Sequence, residues 1–340
     1  MPDTRDEILA LLAGQHLPRL PVFGGLPSLT RTGLEAAGLA FSQVHTDASR
    51  MAQAAATTAE TFGYESVVVP HDMCVEAEAL GAEVDFHDAA AGFSAPFVCG
   101  PLGLEAVPPL LHDPSLLPAA GRVPLVVEAL QRLKTGPGQR VAIGAWVPGP
   151  FTLGWQLYGL EGWMEIVTSG DVLDTRLALL TDALARVAGA YRAAGADFIT
   201  IHEMGGSPQV VGPRVFRARV KPAVTRLVQQ IAAPVVLSVC GDTNAVVEDL
   251  AACGAAALNV DHRNDLARTR QRLGPQLVLL GNFDPVGVLS QGTPETVAAA
   301  VRGIAAAGAD AVWPGCDLWP DLPEANFRAL MATAAELRRE

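Results

Sequence analysis

Short, almost continuous apolar runs alternate along this chain with longer Ala-, Leu- and Arg-rich stretches of helical period. The runs fall at 19–25, 65–70, 140–146, 197–203, 234–240, 255–260, 276–282 and 310–316. Apolar character without polar alternation marks strands buried on both faces, the habit of parallel sheets flanked by helices. Helical patterns separate them, clearest in LALLTDALARVAGAYRAAG before the fourth run and TVAAAVRGIAAAG before the eighth. Eight such β/α units in one chain predict an α/β protein with a closed (β/α)8 (TIM) barrel rather than a doubly wound sheet. No Gly-rich GxGxxG turn follows the first run, which also argues against dinucleotide binding. Residues 1–18 predict an N-terminal helix packed beside the barrel. The stretch 72–139, between the second and third runs, is too long for one connecting helix, so a β-hairpin excursion and an extra helix over the barrel mouth are expected there. No second domain is indicated, and 1–340 is taken as a single barrel domain.

Composition narrows the function. Half of the 340 residues are hydrophobic, enough for a large core, and the net charge of −12 opposes a nucleic-acid surface, which needs clustered basic side chains. Gly, Pro or charge interrupts every apolar run well short of a membrane span, and the amphipathic start MPDTRDEILALLAGQ is unlike a signal peptide. A soluble cytoplasmic protein, monomer or homodimer, is expected. Five cysteines, an odd number in a long chain, read as reduced thiols. Only two lysines, Lys134 and Lys221, stand against 22 arginines, and neither follows a strand end. Schiff-base chemistry and a Walker-type phosphate loop both need a placed lysine, so both are disfavoured.

Barrel enzymes draw their sites from residues just beyond the C-terminal ends of the strands. Those ends carry His71 and Asp72, His202 and Glu203, Cys240, Asp261 and His262, Asn282 and Asp284, and Cys316 with Asp317. Cys240 and Cys316 converge on one mouth in such a barrel, where paired thiolates can hold a soft metal ion. His202 and Glu203 are adjacent, so only one faces the barrel axis. Glu203 is expected to be the one. Asn282 and Asp284 read as turn residues, and Cys253 as core.

The segments FGYESVVVPHDMCVEAEALGAEV, GAWVPGPFTLG, VCGDTN, GNFDPVGVLSQGTPETV and PGCDLWPDLPEANFRALM resemble the uroporphyrinogen decarboxylase superfamily. Within it they resemble the corrinoid-dependent methyltransferase branch, typified by methylcobalamin:coenzyme M methyltransferases. The resemblance runs from about residue 20 to the end and implies the same barrel fold. Two departures set the chain apart from the decarboxylases. GGLPSLTRTG, with Arg31 alone, stands where they carry an Arg-rich segment, and Cys316 stands where they carry a histidine.

The resemblance implies a methyltransferase that moves a methyl group between a corrinoid, free methylcobalamin or one borne by a partner corrinoid protein, and a thiol acceptor activated by zinc. The branch takes its zinc ligands from a His-x-Cys pair after strand five and a Cys after strand eight. Cys240 and Cys316 match that pattern, but Ser238 stands at the histidine position. His262, after strand six, is the expected replacement, with Asp261 or Glu203 as alternatives. Asp72 aligns with an acidic residue of the superfamily's cleft, and Asp72 and Glu203 are the expected catalytic groups for positioning substrate or handling protons. Trp313 and Trp319 are expected in the wall or core, one of them bordering the corrinoid. A metal-free decarboxylase and a non-catalytic corrinoid- or tetrapyrrole-binding barrel are the alternative readings.

Overall fold

In the computed structural model, which describes residues 3–87 and 92–338, the apolar runs become a ring of parallel strands. β1 (Ser66–Val69) is followed by an antiparallel hairpin, β2 (Glu83–Asp85) and β3 (Phe97–Gly100). The parallel sheet resumes with β4 (Ala142–Pro148), β5 (Phe198–Glu203), β6 (Val235–Val239), β7 (Ala257–Val260), β8 (Val278–Gly281) and β9 (Ala311–Val312). Its order is β1-β4-β5-β6-β7-β8-β9, each strand parallel to the next.

The chain at 21–24 closes the ring. Val22 bridges Val312 in parallel, the Val312 N–H donates to the Pro21 carbonyl, and the Glu65 N–H donates to the Val22 carbonyl. The first predicted strand is therefore present as a bridge and the last as two residues. Pro21 and Pro314 have no N–H to give a ladder, and this shortens both.

Alternation along the strands divides the core in two. Phe198, Val236, Ala257, Val278, Leu280, Ala311 and Trp313 point inward and form one cluster with Phe23. Ile199, Ile201, Leu237, Val239, Leu258, Val260 and Leu279 point outward and pack under the helices. Strands buried on both faces explain why the sequence shows continuous apolar runs there. Gly25 passes over the inward layer so closely that a Cβ would sit 2.0 Å from Thr200 Oγ1 and 2.6 Å from the Trp313 ring.

Two placements differ from expectation. The N-terminal helix Arg5–Leu12 closes the lower end of the barrel instead of lying beside it. Ile8, Leu11 and Leu12 join the inward cluster, and Arg5 bonds Asp197 at the start of β5 at 2.6 and 3.0 Å. The helix Val123–Thr135 packs outside β1, against the helices Ala48–Phe62 and Asp171–Ala194, and not over the mouth. Its buried face of Val126, Ala129, Leu130 and Leu133 follows helical spacing, so it is the ordinary outer helix of its β/α unit.

Candidate metal centre at the barrel mouth

Strand register decides which side chains reach the mouth. His202 pairs with Ser238, Ser238 with Asn259, and Asn259 with Leu280, so these four lie in one row across β5, β6, β7 and β8. Phe198 and Thr200 occupy the same face of β5 as His202, which places the imidazole inside the barrel. Cys240, two residues beyond Ser238, and Cys316, on the loop after β9, lie above that row.

Cys240 Sγ is 3.5 Å from His202 Nε2 and 3.7 Å from Cys316 Sγ. The ligand atoms of His202, Cys240 and Cys316 all fall within 4.8 Å of one another, the imidazole buried and both thiols partly exposed. Zinc bonded at about 2.3 Å to sulfur and about 2.0–2.1 Å to nitrogen with tetrahedral angles separates two sulfurs by about 3.8 Å and sulfur from nitrogen by about 3.5 Å. The corresponding edges here are 3.7 and 3.5 Å. One imidazole and two thiols are also the donor types that suit zinc, and both cysteines are only partly buried.

Electrostatics at Cys316 favour the neutral thiol until a cation intervenes. The Cys316 thiol is pushed well above its ordinary range by the Cys240 side chain, by burial and by Asp317, whose Oδ1 it meets at 3.0 Å. Burial works against protonation of His202, but the hydrogen bond and charge of Cys316 outweigh it and raise its pKa. A bound divalent ion reverses this balance, because its charge is the largest in the site and a coordinating thiol is deprotonated outright.

His262, expected as the third ligand, is turned elsewhere. Its Nδ1 lies 3.1 Å from Asp261 and its Nε2 3.9 Å from Asp284, with the side chain 32% exposed. Asp261 is engaged as well: its carboxylate accepts from the N–H groups of Gly241 and Arg263, each at 2.9 Å. The imidazole that meets the cysteines is His202, from the strand next to Ser238.

Glu203 points out of the barrel, opposite to His202. Its carboxylate accepts from Phe151 N–H at 3.1 Å, Gly206 N–H at 2.8 Å and the Thr152 hydroxyl. Phe151 and Thr152 open the helix Pro150–Thr168, whose positive end suits a carboxylate. Burial nevertheless raises the Glu203 pKa. Since all three partners donate, Glu203→Gln sets an amide NH2 against donors in a buried pocket. It is expected to lower stability by about 1–3 kcal/mol while leaving metal content unchanged, measurable by denaturant titration beside elemental analysis.

Asp72 is likewise held away from solvent. Its side chain is fully buried, and its oxygens accept from Arg122 at 2.7 and 2.9 Å, from His45 Nδ1 at 3.0 Å and from Cys74 N–H at 3.0 Å. Of the two tryptophans, Trp313 is core, edge-on to Phe23, whereas Trp319 is 62% exposed on the loop after Cys316.

The uroporphyrinogen decarboxylase (URO-D) family model matches residues 3–337. The chain belongs to that family. Among its relatives, the methylcobamide:CoM methyltransferase MtaA of Methanosarcina barkeri is 28% identical over 98% of this chain and 97% of its own length. The methylated-thiol–coenzyme M methyltransferase of Methanosarcina mazei is 26% identical, covering 99% of this chain and 90% of itself. A solved methyltransferase from Methanosarcina mazei superposes with a TM-score of 0.91 at 28% identity, over 99% of both chains. The family's uroporphyrinogen decarboxylase of Xanthomonas axonopodis pv. citri is 35% identical, but over 38% of this chain. Of these relatives, the methyltransferases match over the full length of the chain and the decarboxylase over little more than a third.

Proposed function

We propose that this barrel transfers a methyl group from a corrinoid to a small thiol, with the thiol bound at zinc held by His202, Cys240 and Cys316. The donor set carries the reading: one imidazole and two thiols at tetrahedral spacing, facing the open end of the barrel. Zinc would lower the thiol's pKa and keep its sulfur nucleophilic at neutral pH, supplying no redox chemistry of its own. The thiolate sulfur then attacks the methyl carbon. A sulfur–carbon bond would form as the bond between the methyl carbon and the corrinoid breaks, the corrinoid would keep that electron pair, and the thiol's proton would leave to solvent.

The chain's own residues supply binding and exclusion. Three exposed apolar side chains, Val210, Val286 and Trp319, stand on the segments after β5, β8 and β9, and suit the broad face of a macrocycle. A hollow of about 210 Å³ is lined by Met73, Phe97, Trp155 and Gln156, and Met73 packs against the cluster that holds Trp146. Trp146 in turn stands edge-on to the His202 ring, with centroids 6.1 Å apart.

Protein purified without chelator is expected to carry one zinc per chain. With methylcobalamin and coenzyme M as probe donor and acceptor, the visible spectrum of the methylated corrinoid is expected to decay enzymatically. A protein that binds no zinc, yet decarboxylates a porphyrinogen, would overturn the proposal. A bound corrinoid whose spectrum never changes would reduce the barrel to a binding protein.

A further inference from the structure

Ser238 lies between His202 and Asn259 in the row beneath the two cysteines, and its surroundings give it a task. We propose that Ser238 and Asn259 form a directional hydrogen-bond relay that fixes the His202 tautomer and aims its Nε2 lone pair at the two sulfurs. The inference rests on the zinc reading above.

The direction of the relay follows from its far end. Asn259 Nδ2 faces two backbone carbonyls, Pro314 at 3.3 Å and Leu280 at 3.5 Å, and carbonyls only accept. The amide nitrogen must therefore point to them and Oδ1 the other way, where it meets the Ser238 hydroxyl at 2.8 Å. A hydroxyl has one proton, and Ser238 gives it to Asn259. What it can offer His202 Nδ1, 3.1 Å away, is a lone pair, so Nδ1 carries the proton. A neutral imidazole with Nδ1–H has its free lone pair on Nε2, the atom beside Cys240. His202, Ser238 and Asn259 are all at most 1% exposed, so bulk water does not compete for these bonds.

The relay makes Ser238 and Asn259 positioning residues. It also ties the ligand strand β5 to the loop that bears Cys316, since Pro314 lies two residues before that thiol. Supporting partners of metal-bound histidines act this way generally, and losing one weakens metal binding by about 10–100-fold.

The experiment uses the full chain with ¹⁵N-labelled histidine, the His202 signal being assigned by its absence in His202→Ala. In chelator-treated wild type, the ring nitrogens should report Nδ1–H for His202. Ser238→Ala should shift it toward Nε2–H. Asn259→Ala keeps the serine but frees its hydroxyl to rotate and donate to Nδ1, and should do the same. Zinc affinity, read by competition with a chromophoric chelator, should fall about 10–100-fold in Ser238→Ala and about tenfold in Asn259→Ala. His202 found as Nε2–H in the wild type, or an unchanged tautomer with affinities within twofold in both variants, would overturn the relay. A wild type that binds no zinc sinks the proposed function instead, and the tautomer measurement still judges the relay by itself.

Discussion

Cys240→Ala is expected to strip the zinc and reduce methyl transfer about 1,000-fold. Cys240 is the vertex that meets both other ligand atoms, so its loss leaves an imidazole and a single thiol, too few protein ligands for a stable zinc site. Without the metal, a thiol acceptor of pKa ~8.5 is only about 3% thiolate at pH 7, which accounts for about 30-fold. The remainder comes from losing the fixed approach of sulfur to the methyl carbon, for which a further factor of about 30 is modest against the effective molarities of well-oriented reactions. The pH profile separates these causes. Transfer by the zinc-loaded protein should be nearly flat between about pH 6 and 8, while the residual rate of the variant should rise about tenfold per pH unit until the free thiol ionises. Zinc retained at full stoichiometry in Cys240→Ala would refute the assignment. His262→Ala is the informative contrast, and it should keep its zinc.

Much of this was legible in the sequence, and where legibility failed the failures have a common cause. Apolar runs located every strand of the parallel ring, because strands buried on both faces leave a mark that needs no partner to be read. The two cysteines were legible as residues just past such runs. The phase of β5 at its end was not. His202 and Glu203 are both polar, and nothing local says which of two adjacent side chains faces the axis. Counting back by twos from His202 to Thr200 and Phe198, and setting that face beside Ser238, would have chosen the histidine; the pairing of His202 with Ser238 is a register fact that one strand's composition does not contain. The same holds for Asn259, whose meaning appears only once it is the third member of the row. Asp72 was legible as an acidic strand-end residue, but its burial depends on Arg122, fifty residues later in the chain, and on His45 from the segment before β1.

Arg122→Ala should be among the most destabilising single substitutions in the protein, by about 3–5 kcal/mol. Arg122 reaches from the start of the helix Val123–Thr135 to hold both oxygens of Asp72, and its Nε bonds Glu78 at 2.5 Å. It also donates to the His45 carbonyl at 3.1 Å and lies over the Phe86 ring, 4.6 Å from its centroid. Truncation strands a carboxylate of zero exposure with His45 and one N–H as its remaining partners, and breaking a buried pair costs far more than the intact pair contributes. The pH dependence should carry the same signature. Burial alone would raise the Asp72 pKa, but the bonds from His45 and Arg122 hold it well below the ordinary carboxylate range. A group whose pKa is depressed by folding lends stability above its unfolded value, near 4, and loses that contribution as pH falls through the lower folded value. In Arg122→Ala the folded value rises toward the unfolded one or beyond it. The Asp72 contribution present at neutral pH should then shrink or change sign, and with it this carboxylate's part in acid unfolding. Denaturant titrations of wild type and variant between pH 3 and 7 measure this directly. A gap in stability that stays constant across that range would show that Arg122 acts by packing and not through Asp72.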